Sequence, residues 1–236
     1  LVAALLFGVN HAVNHLWQLP GGRYSYSVVV ILLIGTAVPC AALVTLARRG
    51  VIDLHHWGYV LAPVELLKIA LGLVLGGAIA FLQIGAAVWA DPAHAALLFV
   101  WLIGASIMEV LVFIGIVHNV IAAQAVRFLP RWGATLVATV IASLAFGFYH
   151  FSHPPPWNTL STAWTLTVVW LAVSAVYLLT RSLWAAAAFN TVMATVGFIL
   201  NRVTRLDDQS IGAGLTFAAL SILVVVVAPM VALRRQ

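Results

Sequence analysis

The chain of 236 residues is 64% hydrophobic and 7% charged, with a mean hydropathy of +1.12. Soluble domains carry about 25% charged residues, so this composition excludes a water-soluble globular protein and indicates an integral membrane one. The formal charge of +5, from eleven Lys and Arg against six acids, sets orientation in such a protein rather than recruiting nucleic acid, and no nucleic-acid partner is expected.

The apolar runs are about 20 residues long, the length a helix needs to cross the hydrocarbon, and no strand-sized alternation replaces them. Leu1 to Leu19 is apolar but carries Asn10, His11, Asn14 and His15, three of which share one helical face. It reads as a tilted span or an interfacial helix. With no basic n-region and no small-residue cleavage site, it does not read as a signal peptide. Pro20, Gly21 and Gly22 break it. Ser27 to Leu46 is a clean span that holds the single cysteine, Cys40, which reads as packing. Ala62 to Trp89 is the next; its Glu65 and Lys68 are spaced for an i,i+3 ion pair of structural use. Asp91 and Pro92 open a loop, and a long helix runs from about Ala95 to Ala125. Arg127, Pro130 and Arg131 form a basic connector to Gly133–Phe151, which His153 and the run Pro154, Pro155, Pro156 close. Thr159–Leu179, Leu183–Leu200 and Gly214–Leu233 complete the series.

The expected fold is therefore an all-α, polytopic transmembrane bundle of seven spans with an eighth candidate at the start, forming a single membrane domain over 1–236. Alternation puts Arg48, Arg49, Lys68, Arg127, Arg131, Arg181, Arg234 and Arg235 at one end and leaves Arg23, Arg202 and Arg205 at the other. The positive-inside rule then makes the first end, with the C-terminus, cytoplasmic. His55, His56 and Trp57 read as an interfacial loop, and His94 as a helix start.

One stretch stands out. Ile107 to His118, IMEVLVFIGIVH, places Glu109 in the middle of an otherwise apolar helix. A charge there costs roughly 2.5–3.5 kcal/mol on insertion scales, so the carboxyl group must be protonated, paired or facing a polar cavity. His118 is about half a helical revolution away and should face elsewhere.

The run Glu109-Val110-Leu111-Val112-Phe113-Ile114-Gly115 resembles, in part, the first motif of the CAAX prenyl endopeptidase and bacteriocin-processing (CPBP) family of intramembrane proteases, Glu-Glu-x-x-x-Arg. Pro130-Arg131-Trp132-Gly133-Ala134 is similar to the basic turn opening the next family helix, and Phe146-Gly147-Phe148-Tyr149-His150 is a complete match to its second motif, Phe-x-x-x-His. The third motif, His-x-x-x-Asn, lies in a helix that often begins Ser-Leu-Trp. Here Ser182-Leu183-Trp184 leads to Asn190 where the His would fall and Ala194 where the Asn would fall. A second register sets Ala186 and Asn190 against that pair, but the Trp184 spacing favours the first. The resemblance covers about 95–200.

The resemblance implies a bacterial inner-membrane protein in which Glu109 is the base that activates water, His150 its partner, and Asn190 the donor to the developing oxyanion. It also marks departures. Val110 stands for the second Glu and Ile114 for the Arg, so a buried charge pair has been lost together, which is often neutral or stabilising. Asn190 can donate through its amide but cannot serve as acid or base. The expectation is a divergent family member with reduced or lost activity, acting if at all as a glutamate-dependent endopeptidase on a membrane-embedded peptide. The alternative is a non-catalytic subunit that binds a partner transmembrane helix, lipid, quinone or pigment. The first reading requires Glu109 and His150 within hydrogen-bond or one-water reach. No cofactor is expected: His150, His153 and Glu109 are the candidate metal ligands, but HxxH lacks the i,i+4 register of the zincin motif and the prolines should pull His153 toward the interface.

Overall fold

The computed structural model describes residues 26–50, 52–85, 91–153, 157–200 and 208–233. The polar stripe of His11, Asn14 and His15 lies outside them, and with it the candidate eighth span. Seven long helices are described: α1 Tyr26–Arg48, α2 Pro63–Ile84, α3 Pro92–Ala125, α4 Arg131–Tyr149, α5 Leu160–Thr180, α6 Leu183–Leu200 and α7 Asp208–Leu233. They are the seven spans read from the sequence, and among the described residues there is no strand. The protein is an all-α polytopic bundle.

Helix ends follow local chemistry. Asp91 caps α3 by accepting from the His94 amide at 3.0 Å, with Pro92 in the first turn, where its missing N–H costs nothing. Thr159 caps α5 in the same way through the Thr162 amide, at 3.2 Å. Between α5 and α6 the chain reverses through Arg181, which adopts a left-handed conformation at φ 52°. Gly58 packs against that reversal: its carbonyl accepts from the Leu183 amide at 3.0 Å, and a Cβ at Gly58 would overlap the Arg181 carbonyl. The α1–α2 loop and the α5–α6 turn therefore share one end of the bundle, as strict alternation of the spans requires. Arg48, Arg127, Arg131 and Arg181 all lie at that end, called here the basic end.

Helix α3 is the axis. It packs against α6 and α7 along its first half and against α1 and α4 along its second. Lipid tails are as apolar as Leu, so close packing rather than exclusion of water must hold these helices together. Small residues supply it: Gly72 of α2 meets the backbone of Ala185 on α6, and Ala185 and Ala186 are fully buried. Hydroxyls within the spans are satisfied by bending back onto the carbonyl four residues earlier, as Thr167, Thr180, Thr191 and Thr195 do at 2.7–2.8 Å.

One feature of α3 has no signal in its residue types. It is α-helical over Pro92–Val110 and again over Asn119–Ala125, but Leu111–His118 is wound as a π-helix. Such windings are rare and concentrate at functional sites. This one begins two residues after Glu109.

Candidate active site

Glu109 sits on α3 between Met108 and Val110, which are 6% and 1% exposed, yet it keeps partial exposure itself. Its Oε2 accepts a hydrogen bond from Asn190 Nδ2 of α6 at 2.9 Å. Asn190 is 3% exposed and cannot turn away to water. The two helices are antiparallel, and the Trp101–Phe198 ring pair, at 5.6 Å, fixes the same register: eight residues along each helix from that pair stand Glu109 and Asn190. Asn190, which both registers of the third motif include, is thus brought to the glutamate.

His150 reaches the same level from α4. Helices α3 and α4 run antiparallel, with His118 Nε2 3.2 Å from Thr139 Oγ1 and the Phe113 ring 5.4 Å from Phe146 in edge-to-face contact. Continued by one turn, that register sets Glu109 opposite His150. The two lie beyond a layer of rings: Phe113 also meets Tyr149 at 5.3 Å and Trp170 at 5.7 Å, while Trp170 stacks on Phe146 at 3.7 Å. Gly147 allows this. A Cβ there would overlap Thr167 and the Ala163 carbonyl, so glycine lets α5 lie directly on α4.

The imidazole of His150 is 7% exposed, and its Nδ1 is 2.9 Å from the Phe146 carbonyl oxygen. A carbonyl can only accept, so Nδ1 carries the proton and Nε2 presents its lone pair. His153 lies just past the end of the α4 span and is partly exposed. The 3₁₀ turn His150–Ser152 brings its ring onto His150, 4.6 Å away and 15° from parallel. Burial first, and then the neighbouring His150, hold His153 well below the usual histidine range. Among the described residues no three His, Cys, Asp or Glu side chains converge as a metal site would require, so the set His150, His153 and Glu109 is not assembled.

The positions where the family carries its charge pair are closed: Val110 and Ile114 are 1% and 0% exposed, in the apolar core. His118 lies nine residues beyond Glu109, across the π winding, and its Nε2 meets Thr139 of α4. It belongs to a second polar cluster nearer the basic end. Its Nδ1 is 3.1 Å from Asn119 Oδ1, which also accepts from the Tyr177 hydroxyl at 3.2 Å. The sequence reading missed this cluster, although His118 and Asn119, adjacent in an apolar helix, were a visible signal. Cys40 is packed, with the Tyr59 hydroxyl donating to its Sγ at 3.0 Å.

Residues 91–196 match the family model described as type II CAAX prenyl endopeptidase Rce1-like. No curated protein and no solved structure matches the chain. The matched segment starts at the cap of α3 and ends within α6, so it encloses Glu109, His150 and Asn190 together with the helices that hold them. Over α3 to α6 this integral membrane protein is similar to the type II CAAX prenyl endopeptidases that the model describes.

Proposed function

We propose that the chain is a glutamate-dependent intramembrane endopeptidase in which an asparagine amide stands where the family places an imidazole. The observation that carries this reading is the 2.9 Å hydrogen bond from Asn190 Nδ2 to Glu109 Oε2, at the level that His150 occupies on α4. Nothing cationic neutralises this glutamate among the described ion pairs.

The chemistry follows from what each group has left to offer. Glu109 Oε1 and His150 Nε2 are both acceptors, so a water between them gives one hydrogen to each and turns a lone pair outward. Glu109 takes the proton as that oxygen attacks the carbonyl carbon of a peptide bond. Asn190 has two N–H donors; Glu109 uses one, and the other is free for the oxyanion that forms. Collapse of the tetrahedral intermediate breaks the C–N bond, and the proton on Glu109 passes to the leaving amine. The substrate class is a peptide held at or in the membrane, a prenylated C-terminus being the first to try because of the family's description. The basic end faces the cytoplasm, by the excess of Lys and Arg there, in a bacterial inner membrane.

The test is cleavage of a farnesylated peptide and of an unmodified transmembrane peptide by the purified chain in lipid nanodiscs, wild type against Glu109→Gln. Cleavage by the wild type, lost in the variant, supports the reading. A folded wild type with no turnover, isolated with a stoichiometric helix, lipid, quinone or pigment, establishes the alternative of a non-catalytic subunit. The fully apolar Val110 and Ile114 positions are what favour that alternative.

A further inference from the structure

We propose that a file of buried water molecules runs along the inner face of α5, from the loop at the basic end to His150 and Glu109. This deepens the hydrolytic reading and rests on it only for the use to which the water is put.

Three polar groups carry the inference. Asn119 Nδ2, Ser174 Oγ and Trp170 Nε1 are buried, their residues 8%, 0% and 0% exposed, and none has a protein partner within hydrogen-bond distance. Buried polar groups without partners are uncommon and are the usual mark of an ordered water. Their positions are not scattered. Trp170, Ser174 and Tyr177 form one stripe of α5, spaced by four and three residues and so about 10 Å long in all. Asn119 is bonded to Tyr177 at one end of it. At the other end Trp170 lies on Phe146, whose ring is 4.6 Å from that of His150.

Ser174 is the informative member. Thr167 and Thr180 on the same helix bend back onto their own carbonyls, which silences the hydroxyl, and Ser174 does not. One turn from the Phe146–Trp170 stack, the register of α4 on α5 sets Ser143 level with Ser174, both fully buried. Two serines thus occupy a layer between the rings of Phe146 and Trp170 on one side and those of His118 and Tyr177 on the other, 5.8 Å apart. Small side chains stand between the aromatic layers, and the Ser174 hydroxyl, without a protein partner, makes the layer polar, whereas Ser143 Oγ donates to the Thr139 carbonyl at 2.8 Å. The outer mouth is at hand: the Tyr177 hydroxyl lies 3.5 Å from the Trp57 carbonyl of the α1–α2 loop. At the inner end, a water accepting from Trp170 Nε1 can donate to His150 Nε2.

Hydroxyl-radical footprinting of the full chain in nanodiscs reads this directly, because radicals are made from water where it is bound. Trp170 and Tyr177 should be oxidised well above Phe189, an aromatic 1% exposed in the hydrophobic core. Ser174→Val, which fills the layer, should abolish that labelling; Trp170→Phe, which keeps the ring and removes the donor, should lower it at Tyr177 if the larger change misfolds the chain. Labelling of Trp170 and Tyr177 no greater than that of Phe189 overturns the proposal, and so does labelling indifferent to both substitutions. The readout does not depend on turnover. A labelled seam in a chain that cleaves nothing keeps the water file and removes the hydrolytic reading, whereas Glu109-dependent cleavage with an unlabelled seam does the reverse.

Discussion

The chain has two glutamates, both inside helical spans, and they differ in what stands beside them. Glu65, on the first turn of α2, is 4% exposed and accepts from Lys68 Nζ at 2.7 Å. Its charge is cancelled where it sits, one turn from the basic end, and the pair costs the membrane little. Glu109 lies mid-helix in α3 and has an amide for a partner. An amide orients a carboxylate without neutralising it. The contrast teaches how to tell a carboxyl kept for packing from one kept for chemistry in a membrane: not by depth or burial, but by whether the neighbour takes the charge away.

The largest effect should come from removing each acid in turn. Glu109→Gln should lower peptide cleavage by about 10²–10⁴-fold, the range for loss of a general base, while Glu65→Gln leaves cleavage per folded molecule as it was. A Glu65→Gln chain that folds and no longer cleaves would collapse the distinction.

A second experiment sharpens the loss of the family's charge pair. Ile114→Arg puts a cation at a position 0% exposed and should cost about 3–5 kcal/mol of stability, as an uncompensated buried charge does. Adding Val110→Glu should return most of it, because the two positions are four residues apart and the pair is restored. Thermal unfolding of both singles and the double gives the coupling. A double variant as unstable as the sum of the singles would mean that the core around α3 has repacked beyond the reach of the old pair.

Asn190 is tested by its second N–H. Asn190→Ala removes an oxyanion donor, expected to cost about 10²–10³-fold in turnover, whereas Asn190→His restores the family's residue and should match or exceed the wild type. Equal activity in the alanine variant would show that the amide only positions Glu109 in the resting chain.

The seven spans were legible because length and hydropathy alone decide what crosses a bilayer. So was the Glu65–Lys68 pair, by its i,i+3 spacing; Glu109 was singled out as a charge in an apolar helix and His150 by the Phe-x-x-x-His motif. The pairing of Asn190 with Glu109 was legible only through motif spacing, since the residues are 81 apart in the chain and meet through the packing of α6 on α3. The π winding of Leu111–His118 was not legible: an apolar run with one glycine carries no signal for it, and the segment is packed against α1 and α4.

The smallest effect belongs to Lys68. Its side chain is 29% exposed, so part of its charge is solvated by headgroups or water, and Lys68→Met removes less than a fully buried partner would. What remains is Glu65 with no partner on either oxygen, since Oε2 already lacks one. Leaving a buried acceptor unsatisfied costs about 1–3 kcal/mol, so the variant should unfold at lower temperature with its cleavage per folded molecule unchanged. Replacing both residues, Glu65→Met with Lys68→Met, should recover the loss, because an apolar pair of similar volume needs no desolvation. A Lys68→Met chain that unfolds normally but cleaves more slowly would put Glu65 among the residues kept for chemistry, and the neighbour's charge would no longer separate the two glutamates.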